Sequence, residues 1–180
     1  MTPLLVVLFG IHPATAVGTD LLYAAITKSA GTVVHGANKT INWRIVRLLA
    51  MGSVPAALIT LYLMSGVDRK SISAVSFITF SLGWMLFLTA LLLIFRNQIV
   101  EKVTAWRAHH KPVNEQTVAA MTFILGIVLG ALVTLTSVGA GALGVTVLLM
   151  LYPRLQIRDV VGSDIVHAVP LTLVGGIGYW

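Results

Sequence analysis

The stretch that decides the fold is "VGTDLLYAAITKSAG", residues 17–31, because it returns later as "VGSDIVHAVPLTLVG", residues 161–175. The two copies align at a constant offset of 144 residues with five identities in fifteen positions, and Thr19 corresponds to Ser163. The same register extends backwards without a gap, where Thr2, Leu4 and Leu5 fall on Thr146, Leu148 and Leu149. An internal duplication of this kind determines the architecture of a protein, so the sequence predicts two related halves.

The composition indicates whether these two halves lie in water or in a membrane. Hydrophobic residues make up 57% of the chain and charged residues 10%, with a mean hydropathy of +0.94. Soluble domains carry about 25% charged residues. The sequence therefore predicts a protein whose apolar surface faces lipid or other membrane helices. The absence of cysteine excludes disulfides, thiolate metal sites and a cysteine nucleophile.

Several classes of function are excluded by the placement of the polar residues. The formal charge is +6, but the basic residues are scattered between apolar runs and form no basic face with interleaved aromatics. We therefore expect no nucleic-acid partner. Because no nucleophile–base constellation and no helical His pair or nearby carboxylate pair occurs, we expect no enzyme activity, no metal site and no cofactor.

The apolar runs predict an all-α membrane protein. A helix needs about 20 apolar residues to cross the hydrocarbon core. Five runs have that length, namely 17–36, 44–64, 72–95, 117–138 and 160–180, whereas 1–9 and 140–152 are too short to cross as straight helices. The polar stretch 96–116 is predicted to be a cytoplasmic linker between a first repeat at 1–95 and a second repeat at 117–180.

The charge distribution predicts that the two repeats are inverted. Placing the linker in the cytoplasm puts nine of the twelve Lys and Arg residues there, leaving Lys28 in a span and Arg69 and Lys70 outside. Five crossings, counting 140–152 as a short return, then separate the starts of the two copies. An odd number inverts the second copy, and inverted repeats are typical of secondary transporters. We therefore expect a polytopic helix bundle of two inverted repeats with Gly-broken helices.

The alignment also predicts that both halves are incomplete in this chain. The second copy is preceded by "TSVGAGALG", residues 136–144, and the counterpart of this segment would lie before Met1. The spans that follow the first copy would have counterparts beyond Trp180. An alternative to a transporter is therefore a membrane-embedded subunit that does not itself transport.

The glycine-rich segment is a candidate binding element. Gly139, Gly141 and Gly144 interrupt an apolar run, and a broken membrane helix is tolerated only where protein or a water-filled cavity surrounds it. Such a break leaves helix N-termini and free N–H groups that attract anions, and Ser137 adds a hydroxyl donor. The alternative is close helix packing through small residues.

Asp20 and Asp164 occupy equivalent positions in the two copies and have two interpretations. Asp and hydroxyl residues are preferred at helix N-caps, so each motif can simply begin its helix. Alternatively, ionisable residues inside spans mark a pathway, which makes the two Asp residues candidate proton sites. An anionic substrate requires either that the Asp be protonated for part of the cycle or that Thr19 and Ser163 face the substrate instead.

Two further side chains are candidates within the spans. Lys28 shares roughly one helix face with Asp20 and would attract an anion; the alternative is that it snorkels to the interface. His167 lies near Asp164 and is suited to relay protons, or it is a hydrogen-bonded packing residue.

These motifs resemble the TauE/SafE sulfite exporter family of permeases. The resemblance is carried by "LFGIHPATAVGTDLLYAAITKSAGTVVHG", "TSVGAGALGVTVLLMLYP" and "VGSDIVHAVPLTLVGG". It implies a multi-pass transporter of the bacterial inner (plasma) membrane that moves small anions such as sulfite, sulfoacetate and thiosulfate. The positions that match are Pro13, Ala16, Gly18 and Thr19 in the first half, and Ser137, Gly139, Gly141, Gly162 and Ser163 in the second. The expected partners are the substrate anion and the lipid bilayer, and a homo-oligomer is left open.

Overall fold

A computed structural model describes residues 1–66, 72–108, 114–138 and 140–180, and every regular element in these ranges is a helix. The helices in chain order are α1 (Thr2–Phe9), α2 (Pro13–Ala37), α3 (Trp43–Ser65), α4 (Ile72–Ala108), α5 (Glu115–Thr136), α6 (Ala140–Leu151) and α7 (Ile157–Gly178). The predicted all-α class is confirmed.

Local signals in the sequence explain where several helices begin. The side chain of Asn42 accepts hydrogen bonds from the N–H groups of Arg44 and Ile45 at the start of α3, and Asn114 caps α5 in the same way. Pro13 occupies the first turn of α2, where its missing N–H has no consequence. These caps satisfy backbone donors that have no partner inside the helix.

Four of the helices in the described ranges are long and apolar enough to cross a membrane. They are Trp43–Ser65, Val75–Phe95, Glu115–Thr136 and Ile157–Gly178, which confirms four of the five predicted spans. The fifth prediction falls on α2, which has 25 residues but is not among these four. Helix α6, with 12 residues, is about 18 Å long and is shorter than the roughly 30 Å hydrocarbon core.

The stretch predicted to be a polar linker, 96–116, begins within a helix. Helix α4 continues past its apolar part to Ala108. Residues 96–108 contain neither Gly nor Pro, so nothing in the backbone chemistry stops the helix where the hydropathy falls. The predicted boundaries of the two repeats, 1–95 and 117–180, stay predictions.

Helices α2 and α7 carry the two copies of the duplicated stretch, and their contacts are reciprocal. A Cβ built on Gly31 would lie 3.2 Å from Ile165, and one built on Gly175 would lie 3.0 Å from Leu21. Gly31 corresponds to Gly175 and Leu21 to Ile165 in the alignment. The glycine of each copy therefore contacts the Leu or Ile of the other copy, as expected for two helices related by a two-fold axis.

A second pair of contacts repeats the relation at the helix ends. Gly18 packs against Tyr179, and its counterpart Gly162 packs against His35, which is the counterpart of Tyr179. The start of each helix thus meets the end of the other. The two helices are therefore antiparallel, as the predicted inversion of the duplicated segment requires.

Helices α3 and α5 form the other close pair, and they run parallel. A Cβ on Gly126 would meet backbone atoms of Leu49, and a Cβ on Gly130 would meet backbone atoms of Ser53 one turn further along both helices. Gly52 lies equally close to the backbone of α5. Small residues allow membrane helices to approach to backbone contact.

Helix α7 is the central element of the bundle. In its most apolar window 61% of the residues are buried, against 17–33% for the other three candidate spans. The core around it is built by side chains from five helices, namely Ala14, Val17, Leu21, Ala57, Ile78, Val133 and Leu171. Polar residues on the inner faces of α7 and α2 are therefore enclosed by protein.

Candidate functional site

Asp164 is the most deeply enclosed carboxylate in the described part of the chain. Its side chain is on α7 and the residue is 1% exposed, and its Oδ1 has no hydrogen-bond partner among the described atoms. The carboxylate lies directly against Gly144 of α6, where a Cβ would collide with Oδ1. The glycine therefore provides the space that this carboxylate occupies.

His167 lies three residues further along α7 and is fully buried. Its Nε2 is 2.9 Å from the hydroxyl of Ser53 on α3, while its Nδ1 has no partner among the described atoms. Residues three apart share a helix face, so the imidazole and the carboxylate of Asp164 face the same side of α7. Each retains one polar atom without a hydrogen bond.

Lys28 supplies the positive charge of this region. It is a partly buried residue of α2, and its charge interacts with those of Asp164 and His167. The helix packing explains this proximity, because Gly31, one turn beyond Lys28, contacts Ile165, the neighbour of Asp164. The structure thus brings together three of the predicted residues, and we call Lys28, Asp164 and His167 the charged cluster.

Asp20 has a different environment from its counterpart. Its Oδ2 accepts hydrogen bonds from the Thr2 N–H (2.9 Å), from the Thr2 hydroxyl (2.7 Å) and from the Met1 amino group (2.9 Å). Asp20 therefore holds the first turn of α1 and is separate from the charged cluster.

The interpretation of the two Asp motifs as helix starts is wrong. Helix α2 begins at Pro13 and α7 at Ile157, seven residues before Asp20 and Asp164 respectively. Their N-cap positions are filled by His12 and Gln156, which make no side-chain cap bond. A hydropathy profile identifies the apolar part of a helix, so the predicted spans began at 17 and 160 and left out the first residues of these helices, 13–16 and 157–159.

The two hydroxyl residues predicted to bind substrate also differ from each other. Thr19 is exposed and donates a hydrogen bond to Thr15 O within its own helix. Ser163 is fully buried, accepts a hydrogen bond from the Asn42 N–H at 2.8 Å and donates one to Asp159 O at 2.6 Å. Ser163 fastens the connection between α2 and α3 to α7, and the structure does not join it to the charged cluster.

The predicted glycines Gly18 and Gly162 occupy close helix contacts. A Cβ on Gly18 would lie 2.6 Å from Cβ of Tyr179, and a Cβ on Gly162 would meet Thr40 O and the ring of His35. Close packing is a sufficient reason for a glycine at both positions. A role in substrate binding stays a prediction for each.

The predicted helix break lies between α5 and α6. Helix α5 ends at Thr136, and Ser137 adopts a left-handed conformation (φ 56°) with its N–H bonded to Val133 O at 2.7 Å. The Ser137 hydroxyl is buried and has no partner among the described atoms. Gly139 lies outside the described residues.

The two other glycines of the segment do not break the chain. Gly141 and Gly144 lie within α6, and a Cβ on Gly141 would meet open space. The prediction that all three glycines interrupt the run is therefore wrong for these two. Glycine lowers helix propensity by about 1 kcal/mol, which packing in a bundle can override.

The comparisons with known proteins agree with this architecture. The family model described as "Sulfite exporter TauE/SafE" matches residues 1–180. The chain belongs to the sulfite exporter TauE/SafE family. It is a membrane transporter by family and a multi-pass protein of the plasma membrane, in keeping with its four apolar helices.

Two relatives of this TauE/SafE chain come from Bacillus subtilis (strain 168). "Probable membrane transporter protein YjnA" is 37% identical over 177 residues, which cover 98% of the chain and 68% of the relative. "Probable membrane transporter protein YdhB" is 29% identical over 178 residues, covering 98% of the chain and 67% of the relative. No solved structure matches the chain significantly.

Two buried hydroxyl residues of this TauE/SafE chain are not predicted from the sequence. Ser53 is fully buried and bonded to His167 of the charged cluster. Thr134 is 1% exposed, and its hydroxyl, 3.8 Å from the Cβ position of Gly175, has no partner among the described atoms. Single hydroxyls in apolar helices commonly bond to their own backbone, so nothing distinguishes these two in the sequence.

Proposed function

We propose that the chain transports small oxyanions across the plasma membrane, exporting sulfite or an organosulfonate in a proton-coupled manner. The observation that carries the proposal is Lys28, a partly buried cation on an inner helix of a TauE/SafE-family chain. A charge inside a membrane bundle is costly, and it usually serves an ion or substrate pathway.

The surroundings of Lys28 support an anion as its substrate. A cation in a low-dielectric interior attracts an anion far more strongly than one in water. Elsewhere in the bundle, at the α5–α6 break, the Ser137 hydroxyl has no partner among the described atoms, and the first N–H groups of α6 point their positive ends toward the break. A sulfite or sulfonate group has three oxygens that accept such hydrogen bonds.

Proton coupling is supported by the charged cluster. Asp164 and His167 each keep a polar atom without a hydrogen-bond partner among the described atoms, and both are buried. Groups of this kind can take up and release a proton without breaking an existing bond. The anion and the lipid bilayer are the partners that this proposal requires.

The test is anion flux in proteoliposomes reconstituted with the chain. We expect saturable uptake of sulfite or of at least one sulfonate from a panel that also contains carboxylates. Lys28→Gln should lower that flux at least tenfold, because it removes the attracting charge while keeping a similar length. Lys39→Gln, a matched change in the exposed α2–α3 connection, should leave the flux within about twofold.

The length of the chain supports a second candidate, a membrane subunit that does not transport alone. The chain spans about two thirds of each curated relative. Absence of saturable flux for every anion of the panel, in protein shown to be folded, would favour this candidate. Equal flux through the Lys28→Gln variant and the unmodified chain would remove Lys28 from the mechanism.

A further inference from the structure

We propose that Asp164 and the transported anion share Lys28 as their counter-charge, so that a proton and an anion cross the membrane together in the same direction. The proposal rests on the anion transport proposed above and adds the residue that binds the proton and the direction of coupling. It is carried by the placement of three charged or titratable side chains inside the bundle.

The charged residues around Asp164 determine how readily it binds a proton. The charge of Lys28 on α2 acts on Asp164, and His167 lies one turn further along α7. Helix α6 has no titratable side chain between residues 140 and 151. The acidic residue of α5 is Glu115 at its start, where it forms an ion pair with Arg44 of α3 at 3.1 Å. Among the described residues, Lys28 is thus the cation whose charge acts on Asp164.

The net charge of the charged cluster links the anion to the proton. With Lys28 protonated, Asp164 ionised and His167 neutral, the cluster carries no net charge. A monoanion arriving at Lys28 would leave one uncompensated negative charge in a low-dielectric interior, which is strongly unfavourable. One proton on Asp164 restores neutrality, because the protonated acid, the ammonium group and the anion together carry no charge.

The carboxylate of Asp164 has room and a polar atom for that proton. Its Oδ1 has no hydrogen-bond partner among the described atoms, and this oxygen faces Gly144, whose missing side chain leaves it room. Asp20, by contrast, has three donors on one oxygen and would have to lose hydrogen bonds to be protonated there. The equivalent aspartates of the two repeats therefore have different functions.

His167 has a role in transferring the proton. Its Nε2 is bonded to Ser53, and its Nδ1 is without a partner among the described atoms, one helical turn from the carboxylate. It shares a face of α7 with Asp164 and is suited to pass a proton to or from the carboxylate. Protonation of His167 itself would add a second positive charge beside Lys28, so the proton that accompanies the anion resides on Asp164.

This arrangement favours symport over exchange. In an exchanger the proton and the anion exclude each other, because each replaces the other at one site. Here the anion does not replace a proton on Asp164. It offsets the positive charge of Lys28 that stabilises the ionised carboxylate, so that Asp164 binds a proton more readily. Export of a monoanion is then electroneutral, with one proton leaving per anion.

The test measures proton and anion movement together in proteoliposomes that contain a trapped pH-sensitive dye. Methanesulfonate is the probe, because it remains ionised and cannot carry a proton through the lipid as a neutral acid. With the membrane potential clamped and no initial pH gradient, inward methanesulfonate flow should acidify the lumen by about one proton per anion. Alkalinisation or an unchanged lumenal pH during anion flow would overturn the proposal.

The variant Asp164→Asn assigns the proton to this residue. It keeps the shape of the protonated acid, so we expect the proton-to-anion ratio of the methanesulfonate flow that remains to fall from about one to near zero. Asp20→Asn is the matched control and should keep the ratio at about one. An unchanged ratio in Asp164→Asn would overturn the assignment.

A binding measurement in detergent covers the case in which Asp164→Asn fails to insert. Calorimetric titration of the unmodified chain with methanesulfonate, repeated in buffers of different ionisation enthalpy, should show uptake of about one proton per anion bound. No proton uptake on binding would overturn the inference and leave the proposed anion transport intact. No binding and no flux would overturn both.

Discussion

At the scale of the residue, equivalent positions of the duplicated stretch have separate tasks. Asp164 faces a glycine, and its Oδ1 has no partner among the described atoms, whereas Asp20 holds the first turn of α1. Ser163 fastens a loop, whereas Thr19 bonds to its own helix at an exposed site. Duplication copies the side chains of a sequence but not the elements that pack against them.

Ser163→Ala should lower the stability of the fold. The change leaves the partly buried Asn42 N–H without its acceptor, and an unsatisfied buried donor costs up to about 1–3 kcal/mol. Thermal unfolding in detergent should therefore show a lower Tm. Thr19→Ala is the matched control, and we expect a change within about 0.5 kcal/mol there. A Ser163→Ala variant with an unchanged Tm but weakened anion flux would instead assign Ser163 to the substrate site.

At the scale of the element, glycine positions determine which helices approach each other. The pairs α3–α5 and α2–α7 both meet at glycines where a Cβ would collide with the partner helix. Helix α4 has no such position among its described residues, since a Cβ on Gly83 would meet nothing within 4 Å. The bundle is therefore held by two tight pairs, and α7 joins them through the bond between His167 and Ser53.

Gly130→Ala should separate the α3–α5 pair. The new Cβ would lie 2.7 Å from Cα of Ser53, and backbone atoms cannot move aside as a flexible side chain can. Overpacking of this kind costs about 1–3 kcal/mol. Gly83→Ala, also a helical glycine, has open space and should be neutral or stabilising by up to about 1 kcal/mol. Equal Tm values for the two variants would show that the tight α3–α5 contact does not stabilise the fold.

The Gly130→Ala variant should also affect transport through the charged cluster. Ser53 is the hydrogen-bond partner of His167, so a shift of α3 moves that partner. We expect the proton-to-anion ratio to change with Gly130→Ala and to stay constant with Gly83→Ala. The measurement is the same dye-based assay, made on protein that has kept its helical content.

At the scale of the whole molecule, the contacts of the helix ends agree with the predicted orientation. The connection after α2 bonds to α7 near its start through Asn42 and Ser163, and Arg44 pairs with Glu115 at the start of α5. These ends therefore lie on one side of the bundle, the side predicted to be cytoplasmic. Arg69 and Lys70, predicted to lie outside, fall beyond the described residues.

Single cysteines test this orientation without background, because the chain has no cysteine of its own. Lys39→Cys and Arg154→Cys, both at exposed sites, should react with a membrane-impermeant maleimide only after the cytoplasmic side is opened. Ser65→Cys, at the far end of α3, should react in intact cells. Labelling of Ser65→Cys and Lys39→Cys from the same side would contradict the topology.

The sequence by itself determined that the protein lies in a membrane, that it is helical and where four spans lie. It also predicted that the two copies of the duplicated segment run in opposite directions. These properties follow from hydropathy, charge bias and a constant offset of 144 residues, all of which are linear in the chain. It also identified Lys28, Asp164 and His167, because ionisable residues are rare in apolar runs.

Only the tertiary structure decided which of these residues act together. Lys28 and Asp164 are 136 positions apart, and their proximity depends on the antiparallel packing of α2 on α7 through Gly31 and Ile165. Tertiary contacts also bond Ser163 to the α2–α3 connection and Asp20 to the first turn of α1. Hydrogen bonds and charge pairs between distant helices depend on crossing and rotation of the helices, which side-chain periodicity in one helix does not specify.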